Sequence, residues 1–390
     1  MSSENQAALN YLEHIQRNTY IAIGIQPLWM LDGHADFVEK FAAQFYESSD
    51  VKNSMTLEEF RKGTRDSLFG SLSSPISSYQ DPAFYFLLSH MTSEIEGILD
   101  EQKVEIYPRP IFGSLPTGRV NGVALRVPDS DQLIVLLEDG LFGFANLTAK
   151  AVSRVFPLKG EGDGRLTFSV GESDWKKEFA ARPDVVERFV ELLLAYLIGG
   201  HPHAARPYLP EPKYEGITSL LRDSMELFVL SHEYGHCISG HLDMGQTKKA
   251  MLGGEETDEV LTSWNQEIEA DVAGLGIMLA VMRKRGFDLS LSFWGVDFFF
   301  GCIEIVERAV SILRTGRAEV PISSTHPPTE LRREMMHRVL KNSVPEEHAA
   351  GPLQLAGIVA SILNEFWLAC EPVLQKVYED RTELAPAWRQ

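Results

Sequence analysis

Cysteine is scarce in this chain. Its 390 residues include three, Cys237, Cys302 and Cys370, an odd number with no two close together. That excludes a disulfide framework and fits a reducing compartment. Positive charge is also short: 36 Lys and Arg face 55 Asp and Glu, a net charge of -19, and no long Lys/Arg run appears. Nucleic acid phosphates and anionic lipid would be repelled, so neither is expected as a general partner.

Long uninterrupted apolar runs are missing as well. A membrane span needs about 18 or more apolar residues without charge. FVELLLAYLIGG is short and carries Glu191, FWGVDFFFGCIEIV carries Asp297 and Glu304, and LAGIVASILNEFWLAC carries Asn364 and Glu365. All three are expected to be buried helices rather than membrane insertions. The opening MSSENQAALNYLEHIQ has no basic region followed by an apolar run, so no signal peptide is expected. These absences point to a soluble, cytoplasmic protein. There is no internal repeat and no long low-complexity tract.

What is present is ordinary globular material, 44% hydrophobic and 23% charged, with a length that suits two domains or one large elaborated domain. Residues 1–104 read as helical. DGHADFVEKFAAQFY has helical periodicity, TLEEFRKGTRDSLF opens with the capping-box pair Thr56 and Glu59, and FYFLLSHMTSEIEGIL follows a Ser/Pro-rich break. The pattern changes near residue 105. VEIYPRP, GRVNGVALRVP and QLIVLLEDG read as strands, with PDSD as a hairpin turn between the last two, and GRLTFSVGE as a further strand. From about 176 the chain is helical to its end, apart from a Pro-rich loop, GGHPHAARPYLPEPKYEG, and a polar loop, TKKAMLGGEETDE. The fold class expected is α+β, mainly α-helical, with a small sheet or hairpin.

One stretch carries chemistry. In SHEYGHCISGH, His232 and His236 are four residues apart with Glu233 after the first. On a helix, residues four apart lie one turn apart on one face, so both imidazoles can meet one metal ion. Glu233 sits about 100° round, within reach of a water on that metal. The alternative is a core helix with two satisfied histidines. A tetrahedral zinc needs a third protein ligand and an open position. His241 is badly phased for this if the helix continues, and reads instead as a helix-terminal histidine or one that supports a ligand. WNQEIEADVAGLGIMLAVM is a better source. Glu267 and Asp271 share a face, and Ala270, Gly274 and Gly276 are small enough to let a neighbouring helix approach. Glu267 is then the expected third ligand, Asp271 the acceptor of a ligand histidine's free N–H, and Glu269 a solvated neighbour.

HEYGHCISGH, EIEAD and STHPPTELR, with GRVNGVALRVPDSDQLIVLLEDGLF upstream, resemble the HtpX/CAAX-prenyl-protease-like zinc metallopeptidases, a gluzincin group. The resemblance covers roughly residues 105–340. It departs in lacking that group's membrane helices, in a stretch at about 150–215, in Asn121-Gly122 where the group often has Asn-Ala, and in Arg333 where an aliphatic residue is usual. It implies a zincin-like catalytic domain over 105–345, with 346–390 as a helical extension packing on it. It also implies one Zn2+ per chain held by His232, His236 and Glu267, and hydrolysis of peptide bonds in an intracellular protein or peptide with Glu233 as general base. His326 is then a candidate oxyanion donor or cleft-closing residue, or else a histidine capping the turn before a helix at Pro327 or Pro328. Tyr208 and Tyr214 are weaker candidates, and the HxH of His201 and His203 is expected to be unrelated to metal. Substrate would pair along an edge strand near Val123 to Val127. The alternative function is a catalytically silent zinc-binding regulatory protein. Substrate identity and oligomeric state have no signature here.

Overall fold

The computed structural model describes residues 3–27, isolated positions between 30 and 52, and 55–69, 76–158, 167–244, 246–252, 255–261, 263–320 and 327–389. In chain order the main elements are α1 (Ser3–Ile23), α2 (Leu57–Phe69), α3 (Pro82–Gln102), β1 (Ile111–Leu115), β2 (Gly122–Arg126), β3 (Leu133–Glu138) and α4 (Gly140–Ser153). They continue as α5 (Glu172–Ala181), α6 (Pro183–Leu197), α7 (Glu215–Ile238), the single turn α8 (His241–Met244), β4 (Gln246–Leu252) and β5 (Glu255–Leu261). The rest are α9 (Trp264–Lys284), α10 (Leu289–Thr315), α11 (Thr329–Ser343) and α12 (Glu346–Glu379). The protein is mainly helical with a small three-stranded sheet. The helix expected over DGHADFVEKFAAQFY lies largely outside the described residues.

By its contacts the chain forms two compact units: Met1–Gly140 with Arg206–Leu209 and Glu233–Thr262, and Leu141–Ala205 with Pro210–His232 and Ser263–Gln390.

The sheet of the first unit has the order β1-β3-β2. β3, LIVLLE, is buried along its whole length, as a central strand of continuous apolar residues should be. It pairs parallel with β1 (Ile111 opposite Ile134) and antiparallel with β2 (Gly122 opposite Leu137). PDSD closes the β2–β3 hairpin as expected. The strand expected at VEIYPRP does not form: Pro108 and Pro110 have no N–H for a ladder, so pairing starts at Ile111. Among the described residues, GRLTFSVGE contributes a single bridge, Phe168 with Leu158. The polar loop expected at TKKAMLGGEETDE is instead the antiparallel hairpin β4–β5. Its register sets Lys248 opposite Glu259 and Lys249 opposite Asp258.

One sheet face packs on α1, where Ala8, Leu12 and Ile15 meet Leu115, Leu125, Val127, Ile134 and Leu136. A buried amide network reinforces this. Gln16 Nε2 donates to Gln80 Oε1 (2.7 Å) and to the Ser114 carbonyl (3.0 Å), and Gln80 Nε2 donates to Ser114 Oγ (2.7 Å). Because side chains alternate along a strand, Val123, Leu125 and Val127 take the α1 side, and Gly122, Ala124 and Arg126 take the opposite face.

The second unit is built on α10 and α12, with Gly301 of α10 letting Leu363 of α12 approach closely. Phe189 and Phe179 meet Phe366 at 4.9 and 5.2 Å between ring centroids. By length and composition, α10 and α12 would each suffice to cross a membrane, with mean hydropathy of 1.6 and 1.5 over their most apolar windows. Their acidic residues, expected to exclude a span, are too few to do so on that test. Of those windows, 67% and 44% respectively is buried inside the protein. Asp297 of α10, 1% exposed, accepts its hydrogen bond from His337 Nε2 at 2.7 Å. The three cysteines are unpaired and buried.

Candidate metal centre

α7 is one unbroken helix of 24 residues carrying the HExxH sequence near its C-terminal end. The run Leu227–Leu230 is buried, and so are His232, Glu233 and His236, each below 10% exposure. Tyr234, fully buried, anchors this part of the helix by donating its hydroxyl to Glu96 of α3 at 3.2 Å. α9 opens with a capping box that the sequence reading missed: Ser263 Oγ accepts from the Gln266 N–H, and the Gln266 side chain accepts from the Ser263 N–H. Its Ser-x-x-Gln spacing was visible.

Glu267 and Asp271 are 3% and 0% exposed, whereas Glu269 is exposed, as anticipated. Gly274 explains how α9 comes so close to α7: a Cβ there would lie 2.9 Å from the His232 backbone N. Gly276, expected to serve the same end, faces open space and is exposed; one glycine makes the approach.

His232, His236 and Glu267 each offer one ligand atom, and these atoms lie within 4.8 Å of one another. His232 Nε2 and Glu267 Oε2 are 3.8 Å apart. Two ligands at zinc bond lengths of about 2.0–2.1 Å, at tetrahedral angles, are separated by about 3.3 Å. Small side-chain rotations would therefore gather all three.

The second ring nitrogens are both occupied. His232 Nδ1 lies 2.9 Å from Asp271 Oδ1. Asp271 also receives a two-pronged contact from Arg332, Nε to Oδ2 and Nη2 to Oδ1, each 2.7 Å. Arg332 Nη2 is 3.8 Å from Glu267 Oε2, so one guanidinium braces both carboxylates, its face over the Phe300 ring at 5.2 Å. Burial would raise the Asp271 carboxyl, but Arg332 and the His232 contact outweigh it and hold it below the ordinary range. A carboxylate that accepts from Nδ1 leaves Nε2 as the lone-pair nitrogen.

His236 Nδ1 lies 3.0 Å from His241 Nδ1, and His241 is 1% exposed. Had the helix continued, His241 would face elsewhere. It does not continue: α7 ends at Ile238 and Gly240 takes φ of +66°, the left-handed conformation glycine tolerates. The chain turns back and sets His241 against His236, outside the group of side chains that could hold a metal. Ser239-Gly240 was the sequence signal for that turn.

Glu233 lies beside the first residue of β2. A Cβ on Gly122 would be 3.0 Å from both Glu233 Cγ and Oε1, so the Asn-Gly step leaves room for this carboxylate where Asn-Ala would crowd it. Asn121 Nδ2 donates to Glu138 Oε1 at 3.2 Å.

Other candidates are placed elsewhere. His201 and His203 stack on each other, ring centroids 4.6 Å apart, and do not join the metal cluster. Tyr214 is buried and its hydroxyl accepts from Arg182 Nη2 at 2.8 Å. Tyr208 is buried too. His326 lies outside the described residues; the helix after it starts at Thr329. Arg332 is the site residue that sequence reasoning passed over, having weighed its neighbour Arg333, which pairs with Glu304 instead.

Further back on α7, Glu226 is 5% exposed among Arg222, Asp223 and Arg285. Burial pushes its carboxyl up to about 8 from 4.5, with Arg222 offsetting only part of the shift. The folded protein then keeps a proton that the unfolded chain releases. This contribution to stability is full below about pH 4.5 and is lost as pH rises through about 8. Glu226→Gln should therefore raise the unfolding free energy measured by urea titration at pH 8.5, by about a few kcal/mol, and leave it nearly unchanged at pH 4.5. An equal shift at both pH values would show that Glu226 does not titrate across this range.

Compared with known proteins, the chain matches no family model, no curated protein and no solved structure.

Proposed function

We propose that the protein is a zinc-dependent endopeptidase that hydrolyses peptide bonds of an intracellular protein or peptide, related in its site to the HtpX/CAAX-prenyl-protease-like metallopeptidases. The observation that carries this reading is the buried convergence of His232, His236 and Glu267 with both second ring nitrogens held. Two imidazoles and a carboxylate suit zinc with an open fourth position. Bound there, zinc would lower the pKa of its water towards about 7 and polarise a carbonyl oxygen.

The chain's own residues supply the rest. Asp271 fixes the His232 ring, with Arg332 holding Asp271 in turn, and His241 fixes the His236 ring. Glu233 takes the proton of the attacking water and later delivers it to the leaving amine. β2 is an edge strand of its sheet, and Glu233 lies beside its first residue. An extended substrate pairing along β2 would thus bring a backbone carbonyl towards the carboxylate. Glu233 also separates this reading from a silent zinc-binding protein, which has no use for a base.

The test is elemental analysis of protein purified without added metal, followed by digestion of a peptide library. About one zinc per chain and Glu233-dependent cleavage are expected; a protein that takes up no zinc on titration ends the proposal. Glu267→Ala should weaken zinc binding at least about tenfold more than Glu269→Ala, because only the former faces the two histidines. Equal losses would mean that another carboxylate holds the metal.

A further inference from the structure

The first unit contains a recess of about 200 Å3 lined by Tyr107, Arg126, Asp131, Leu133, Cys237 and Gly240, among others. It lies at the far end of β2 from Glu233. Gly122, the first residue of β2, meets Glu233, and Arg126, the last, lines the recess on the same strand face. Four residues of strand span about 13 Å. On α7, Cys237 sits one turn past Glu233, about 6 Å along the axis. An extended peptide lying along β2, with its reacting bond at Glu233, would therefore bring a side chain three or four residues away over the recess.

The charge in the recess is uneven. Arg126 Nη1 pairs with Asp131 Oδ1 at 2.8 Å, but the Arg126 side chain is 33% exposed and that of Asp131 92%. The cation is the withdrawn member and the carboxylate is in water. A cationic guest would meet only a solvated carboxylate, an interaction worth little. An anionic guest would displace Asp131 and meet a partly desolvated guanidinium whose fork matches a carboxylate. Leu133 and Cys237, 6% and 9% exposed, add a smaller apolar part to a mainly polar wall, against which the methylenes of a glutamate can rest. The net charge of -19 opposes an acidic chain at long range, but is screened beyond about 8 Å at physiological ionic strength, leaving the contact to decide.

We propose that this recess is a substrate subsite for an acidic side chain, Glu or Asp, three or four residues from the bond that is cleaved. The proposal rests on the endopeptidase reading and names its substrate class.

The experiment digests a degenerate peptide library with the zinc-loaded 390-residue protein and aligns the cut sites by mass spectrometry. Glu or Asp should be enriched at one position three or four residues to one side of the cut. The ratio of kcat/KM for a Glu peptide over its Gln counterpart should then fall about tenfold in Arg126→Gln. It should fall less in Arg126→Lys and rise in Asp131→Asn, where one internal competitor for the guanidinium is weakened. Zinc content of every variant is measured alongside, so a folding defect shows as lost metal. Cleavage without an acidic preference, or with one indifferent to Arg126 and Asp131, overturns the subsite while leaving the peptidase. Zinc-loaded wild-type protein that cuts nothing overturns the peptidase reading, and the subsite with it.

Discussion

Glu233→Gln is expected to bind zinc as the wild type does and to lose turnover by a factor of at least about 100, the range over which a general base acts. The substitution keeps shape and volume. The space left by Gly122 accommodates a carboxamide as well as a carboxylate, and the residue is not among the three that converge as candidate ligands. What it removes is the ability to accept a proton. Elemental analysis and cleavage of a reporter peptide read the two properties separately. Retained zinc with full activity would show that some other group takes the proton. Lost zinc would show that Glu233 holds the metal itself.

The largest loss of stability is expected at Asp271. Asp271→Ala strips the acceptor from His232 Nδ1 and two carboxylate acceptors from Arg332, leaving a largely desolvated guanidinium, its side chain 15% exposed, with Glu267 3.8 Å away. Breaking a buried pair from one side costs about 3–5 kcal/mol. Losing the carboxylate behind a ligand histidine costs a further 10- to 100-fold in metal affinity. The two effects can be separated. Adding Arg332→Met to Asp271→Ala removes the orphaned charge and should restore part of the stability, measured by urea unfolding in chelator. Zinc affinity should stay low, because His232 still lacks its partner. A single mutant within about 1 kcal/mol of wild type would mean that water substitutes for Asp271 in this cluster.

Much of the site was legible because it is written in helical period. His232 and His236 are four apart, Glu267 and Asp271 are four apart, and both helices are long enough for that spacing to hold. The β2–β3 hairpin was legible for the same kind of reason, from alternation and a turn signal. Where the fold departs from these local signals, a competing local rule prevails. VEIYPRP has β-branched and aromatic residues, but its prolines remove ladder donors. TKKAMLGGEETDE is polar, yet its Gly-Gly step is a two-residue hairpin signal, and the segments on either side pair as β4 and β5. α10 and α12 carry acidic residues in long apolar runs, and the count of charges alone did not separate a core helix from a spanning one.

The sequence by itself determined which side chains share a face: spacing within one helix or strand depends only on backbone geometry. That settles the two pairs on α7 and α9, and the alternation that sets Gly122 and Arg126 on one side of β2. Tertiary structure decided everything that depends on residues distant in the chain. Gly274 sets how near α9 comes to His232. Arg332, 61 residues after Asp271, closes on it with two hydrogen bonds. The left-handed turn at Gly240 brings His241 back onto His236. These contacts arise only once burial has removed water as the alternative partner for each charge and ring nitrogen. For that reason no period in the sequence announces them.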